Sequence, residues 1–253
     1  MADMPLDQFM KPCPGGYEIQ PADKMSLGTL GASVIWDGKW VAITAGHNVD
    51  AVGAPVYQPS WVAKGRSAVH VIGRVAGKSR WVAYRSLTEY LKRREDMLYD
   101  FAWMLAVVGE TTSTIPGIYK EAVPLRTRAA KLGEEVSWLG KSTGDVQRGR
   151  VADDDFWVPY PEDDGSLTAL GPCLKIDGAT GQRGDCGAAI VAEDGPQVVG
   201  VYCFAAQNKN FIVASKIPSS AQELEQRSTE VVGMQRVVDR LAKLKGLGFG
   251  TGP

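Results

Sequence analysis

Short runs rich in Val, Ile, Trp, Phe and Ala recur along most of the chain, separated by Gly, Pro and Asp. In TLGASVIWDGKWVAITAGHNV, residues 29–49, two such runs flank Asp37-Gly38, a dipeptide suited to the tight turn of a β-hairpin. Further strand-like runs follow at residues 68–75, 81–84, 101–108, 135–139, 149–151, 173–176, 188–192, 198–204 and 211–214. Many short strands with turn residues between them predict an all-β sandwich or barrel. The polar stretch TTSTIP, residues 111–116, lies between two comparable groups of strands and is the expected linker between two barrels.

Two regions depart from this pattern. The acidic stretches Asp153–Asp155 and Glu162–Asp164 flank Phe156, Trp157 and Tyr160, and read as a solvated hairpin loop, because the alternate spacing that oxygen ligands to a metal require is missing. After Pro218 the period changes. Ser220-Ala-Gln-Glu223 has the form of a capping box, and Leu224, Val231, Met234, Val238 and Leu241 recur at helical spacing, so a C-terminal helix packed on a barrel is expected.

Composition narrows the function classes. The 253 residues are 44% hydrophobic and 23% charged, as in ordinary folded proteins. Twenty-eight Lys and Arg against 29 Asp and Glu leave a net charge of −1, which argues against a generic polyanion binder. The basic run Lys92-Arg93-Arg94 reads as a solvated face, with RNA binding only a weakly supported use. Cys13, Cys173, Cys186 and Cys203 show no C-x-x-C spacing, so neither a zinc site nor a disulfide framework is expected, and a reducing, cytoplasmic setting fits. The opening residues lack the pattern of a secretion signal, no window is long and apolar enough to span a membrane, and no cofactor is implied.

Three local patterns carry candidate chemistry. In GQRGDCGAAI, residues 181–190, small residues surround the Cys186 thiol just before a strand. A tight turn there would expose the thiol and aim the N–H groups of Gly184 and Cys186 at one point, as acyl transfer requires of an oxyanion hole. A buried, inert cysteine is the competing reading. The run ITAGHN, residues 43–48, ends a strand and presents His47; the other histidine, His70, sits in an apolar run and reads as structural. In YDFAWML, residues 99–105, Asp100 immediately precedes an apolar strand, where a buried carboxylate needs a partner; Asp96 lies in a charged segment and is the weaker candidate.

TAGH, YDFAWML and GDCGAAI, in that order, resemble the TAAH, D-I-A-L-L and GDSGGP motifs of the chymotrypsin-like proteases, and the spacings between His47, Asp100 and Cys186 suit that family. The resemblance implies two six-stranded antiparallel β-barrels, over residues 24–115 and 116–217, after an N-terminal arm (1–23) and before a C-terminal helix and tail (218–253). It implies His47, Asp100 and Cys186 as a catalytic triad, with Asp185 holding the oxyanion loop and Cys203 beside the triad carboxylate. Thr180, Tyr202, Cys203, Phe204 and Ala205 would line the pocket for the residue before the scissile bond, which would take a small or neutral side chain. With Cys186 where serine is usual, the site is similar to the cysteine proteases of positive-strand RNA viruses. This implies an endopeptidase acting on polypeptides, including its own polyprotein, in an infected host cell. Many of those enzymes place a histidine in the cleft strand to read glutamine, and residues 198–214 contain none. Two alternatives remain open: a non-catalytic scaffold, capsid or binding protein on the same fold, and a serine protease whose nucleophile has been replaced by cysteine.

Overall fold

The computed structural model describes residues 6–21, 27–49, 51–59, 70–79, 99–107, 109–161, 167–178, 180–205 and 210–227, with backbone alone for 157–161, 167–170 and 225–227. Seven strands form the first group: β1 (Glu18–Pro21), β2 (Gly28–Thr29), β3 (Ala32–Trp36), β4 (Lys39–Thr44), β5 (Pro55–Gln58), β6 (His70–Lys78) and β7 (Ala102–Ala106). Their pairing runs β3-β4-β7-β6-β5-β1-β2. β2 and β3 are two halves of one strand interrupted at Leu30-Gly31, so the pairing of β1 with β2 closes a six-stranded antiparallel barrel. The β3–β4 hairpin turns at Asp37 and Gly38, whose φ values of 49° and 72° suit the turn read from the sequence.

The second group comprises β9 (Glu135–Leu139), β10 (Val146–Pro161), β11 (Leu167–Asp177), β12 (Ala189–Ala192), β13 (Gln197–Ala205) and β14 (Phe211–Lys216). It pairs in the order β12-β9-β10-β11-β14-β13, and β12 also pairs with β13, which closes a second barrel. The two-residue β8 (Arg126–Thr127) runs parallel to both β3 and β13 and joins the barrels through backbone hydrogen bonds. Closure removes the exposed edges that short strands would otherwise present.

Each barrel is filled by the inward side chains of its strands. Ile19, Leu30, Val34, Ile43, Ile72, Phe101 and Met104 fill the first, and Val136, Trp138, Val151, Leu174, Ile176, Ile190 and Ile212 the second. Cys186 packs against both cores, which places it at the seam.

The structure alters some expectations. Asp153–Asp155 do not form a loop: they lie within the 16-residue β10, where three register shifts against β11 let the acidic residues stay in a paired strand. The stretch 111–116, between β7 and β8, is held against the first barrel. Thr112 N donates to Cys13 O at 3.0 Å, Ser33 N to Thr112 O at 3.2 Å, and Ser33 Oγ to Thr111 Oγ1 at 2.7 Å, which strap it to the first barrel. After β14, α1 (Ala221–Arg227) begins where the capping residues predict, with Glu223 N donating to Ser220 Oγ at 3.1 Å and Leu224 buried. Glu162–Asp164, the helical positions from Val231 to Leu241, the run at 81–84, Lys92–Arg94 and Asp96 lie outside the described residues.

Candidate active site

His47 lies in a single 3-10 turn, Gly46–Asn48, that ends β4 and turns the chain toward the seam. Asp100 precedes β7, which pairs with β4 through Thr44 and Ala102. That pairing brings together two residues 53 positions apart. His47 Nδ1 lies 2.6 Å from Asp100 Oδ2, and His47 N donates to Asp100 Oδ1 at 2.9 Å, so one carboxylate holds both the ring and its backbone. The His47 side chain is 31% exposed and that of Asp100 1%. Asp100 N donates to Ser215 Oγ at 2.9 Å, anchoring the carboxylate's backbone to β14.

Cys186 approaches from the second barrel. Its Sγ donates to the carbonyl of Cys203 at 2.8 Å and also interacts with the His47 ring, whose Nε2 is left available by the Asp100 contact at Nδ1. The structure therefore brings His47, Asp100 and Cys186 into one constellation. Burial alone would lower the His47 pKa, but the Asp100 charge and hydrogen bond, reinforced by Cys186, raise it well above the ordinary value. For Asp100 burial works upward, and the His47 charge and hydrogen bonds, with the Cys203 thiol, outweigh it and hold the pKa below the usual carboxylate value. The Cys203 sulfur is buried between that carboxylate and the carbonyl of Val201, at 3.5 Å from the latter.

The turn before Cys186 is tightly determined. Gly184 and Gly187 have φ of +105° and +100°, where a side chain is strained, and a Cβ at 187 would collide with Thr29 O and Thr44 Oγ1. Asp185 is fully buried. It accepts from Ser142 N (2.8 Å), Thr143 N (3.0 Å), Gln182 N (2.8 Å) and Thr143 Oγ1. The first barrel grips the same turn: Thr29 N and Asn48 Nδ2 donate to Cys186 O at 2.8 and 2.6 Å, and Thr29 Oγ1 donates to Gly184 O at 2.8 Å. The N–H groups of Gly184 and Cys186 donate to no acceptor among the described residues.

Of the predicted pocket residues, Thr180 is exposed and Phe204 and Ala205 are half-buried at the end of β13. The Tyr202 side chain is buried in the second core, with its hydroxyl under Gly181 and without a hydrogen-bond partner among the described residues. Cys203 presents its carbonyl to Cys186 while its side chain turns toward Asp100. His70 stands apart at the start of β6, exposed and stacked on Phe9 at 4.2 Å between ring centroids. Among the described residues no three His, Cys, Asp or Glu side chains are grouped as a metal ion would require.

No protein-family model and no curated protein matches the chain. Solved structures do. Thermobifida fusca Protease A superposes with a TM-score of 0.54 at 19% identity, over 84% of this chain and 94% of its own. A Cellulomonas bogoriensis chymotrypsin gives 0.54 at 18%, over 87% and 97%. A glutamic acid-specific serine protease gives 0.51 at 18%, over 80% and 92%. The fold is chymotrypsin-like. At these identities the likeness reaches the fold and stops short of the nucleophile. Thr29, Ser215, Glu18 and Lys141 had no local signal in the sequence, and Asn48 had only its place beside His47; each acts across more than one hundred positions.

Proposed function

We propose that the chain is an endopeptidase with Cys186 as nucleophile, His47 as general base and acid, and Asp100 as the group that orients His47. One observation carries this reading: a half-buried thiol lies at an imidazole held by a buried carboxylate, on a turn with two uncommitted N–H groups. His47 Nε2 takes the thiol proton, and the thiolate attacks the scissile carbonyl to form a C–S bond. The oxyanion accepts hydrogen bonds from Gly184 N and Cys186 N, each donor of this kind lowering the barrier by about 2.7–4 kcal/mol. The imidazolium returns its proton to the leaving amine as the C–N bond breaks, giving a thioester. Water, deprotonated by His47, then releases the acid and restores the thiol.

Loss of the thiol proton also frees the Cys203 carbonyl to accept a hydrogen bond from the substrate backbone. Thr180 and residues Tyr202 to Ala205 line the pocket for the residue before the scissile bond. That pocket takes a small or neutral side chain. Four free cysteines fit a reducing compartment, and a thiol nucleophile on this fold fits polyprotein processing in an infected cell. Iodoacetamide labelling followed by peptide-library cleavage tests the reading. Cys186 should label fastest, since the other three thiols are buried, and labelling should abolish cleavage. Equal labelling of all four with cleavage retained rejects it.

A further inference from the structure

The 141–143 segment, which follows β9, touches the catalytic turn on one side and the first barrel on the other. On the turn side, Ser142 N and Thr143 N bind the Asp185 carboxylate. On the barrel side, Lys141 N donates to Thr29 Oγ1 at 3.2 Å, and that hydroxyl donates onward to the Gly184 carbonyl. Lys141 Nζ then pairs with Glu18 on β1, the residue opposite Thr29 in the β1–β2 pairing. Glu18 is 1% exposed, and its Oε1 has no hydrogen-bond partner among the described residues.

This pair is largely withdrawn from water, with the Glu18 side chain 2% exposed and that of Lys141 17%. An ion pair taken out of water is often no better than an apolar contact of the same volume, and a carboxylate oxygen left without a donor makes the exchange worse. What the pair does supply is a directional link between barrels at the turn that carries Gly184 N and Cys186 N. Those N–H groups lie on a turn that Asp185 and Thr29 hold from opposite sides, so their direction depends on how the 141–143 segment is fixed.

We propose that Glu18 and Lys141 are positioning residues: their ion pair fixes the 141–143 segment against the first barrel and, through Asp185 and Thr29, sets the direction in which the Gly184 and Cys186 N–H groups point. The proposal rests on the endopeptidase reading above, and it concerns oxyanion stabilisation alone. The thiol and imidazole are held by other contacts.

The test compares two reactions of the same thiol in Glu18→Gln, Lys141→Met and the double variant of the full chain. Peptide cleavage passes through an oxyanion. Alkylation by iodoacetamide does not, because the thiolate displaces iodide from a saturated carbon. Each single variant should lose about tenfold or more in kcat with a smaller change in KM, a fraction of the effect of deleting an oxyanion donor. The alkylation rate of Cys186 should stay within about twofold, since the His47–Cys186 contact is untouched. The double variant should lose less than the product of the single losses, as a coupled pair requires. Unchanged kcat overturns the proposal, and so does a parallel fall in kcat and alkylation, which would mean general loosening. If Lys141→Met does not fold, Glu18→Gln, which preserves shape, decides. Absence of turnover in the unaltered protein is a separate result that removes the endopeptidase reading and this proposal with it.

Discussion

The first-barrel and second-barrel halves of the site are each organised around a fully buried aspartate, and the two carboxylates are satisfied by different kinds of partner. Asp100 binds the His47 ring and backbone, so its main partner changes charge with pH. Asp185 accepts three backbone N–H groups and the Thr143 hydroxyl, none of which titrates in the working range. The first arrangement suits a group that tunes a proton carrier. The second suits one that holds a backbone turn in a single shape. Cys186 stands where they meet, in contact with both cores.

This contrast can be broken at its meeting point first. Cys186→Ala should lower peptide cleavage by about 10⁴-fold or more, as loss of a nucleophile does in comparable triads, with little change in thermal stability. Cleavage retained within tenfold would leave the two halves without a shared purpose. Next, Asp185→Ala should cost about 10²–10³ in kcat by displacing the oxyanion donors. It should also lower the denaturation midpoint, since each buried donor left unpaired costs about 1–3 kcal/mol. Stability unchanged in urea titration would show that the turn holds its shape without the carboxylate.

Asp100→Asn should have a smaller effect on kcat, about 10²-fold, below the roughly 10⁴ found where the nucleophile is a hydroxyl, because a thiol ionises more readily. Cleavage assays across pH would check this, and a loss equal to that of Cys186→Ala would show that Asp100 does more than orient the imidazole.

The smallest effect is the sharpest test of the difference between the halves. The raised His47 pKa contributes stability that is complete below its unfolded value, about 6.5, and is lost as pH rises through the folded value. The lowered Asp100 pKa contributes stability present above about 3.9 and lost as pH falls through its folded value. The stability advantage of the unaltered protein over Asp100→Asn should therefore be greatest between about pH 4 and 6.5 and shrink on both sides. Chemical denaturation at several pH values measures it, and a flat difference would mean that His47 and Asp100 do not titrate as a pair.

Much of the fold was legible because its signals are local. The Asp37-Gly38 turn, the runs at 135–139 and 211–214 and the capping residues of α1 are each set by neighbours within a few positions, and the observed elements fall there. The acidic stretch at 153–155 was misread for the complementary reason: register shifts that keep acidic residues inside a strand depend on the partner strand, which local pattern does not reveal. In the site, the flanking small residues singled out His47 and Cys186, and the apolar strand behind it singled out Asp100. Their supports were silent, since Thr29 meets Gly184 across 155 positions and Glu18 meets Lys141 across 123.

By itself the sequence determined the Asp37-Gly38 turn, the core of several strands and the start of α1, and it singled out His47, Asp100 and Cys186 as candidates, because residue type and spacing act over a few bonds. Tertiary structure alone decided that one aspartate faces an imidazole and the other a bed of amides, and that a lysine of one barrel meets a buried glutamate of the other. Those outcomes depend on how two closed sheets meet at a seam, and contact between groups so far apart in the chain is settled only when both barrels have formed.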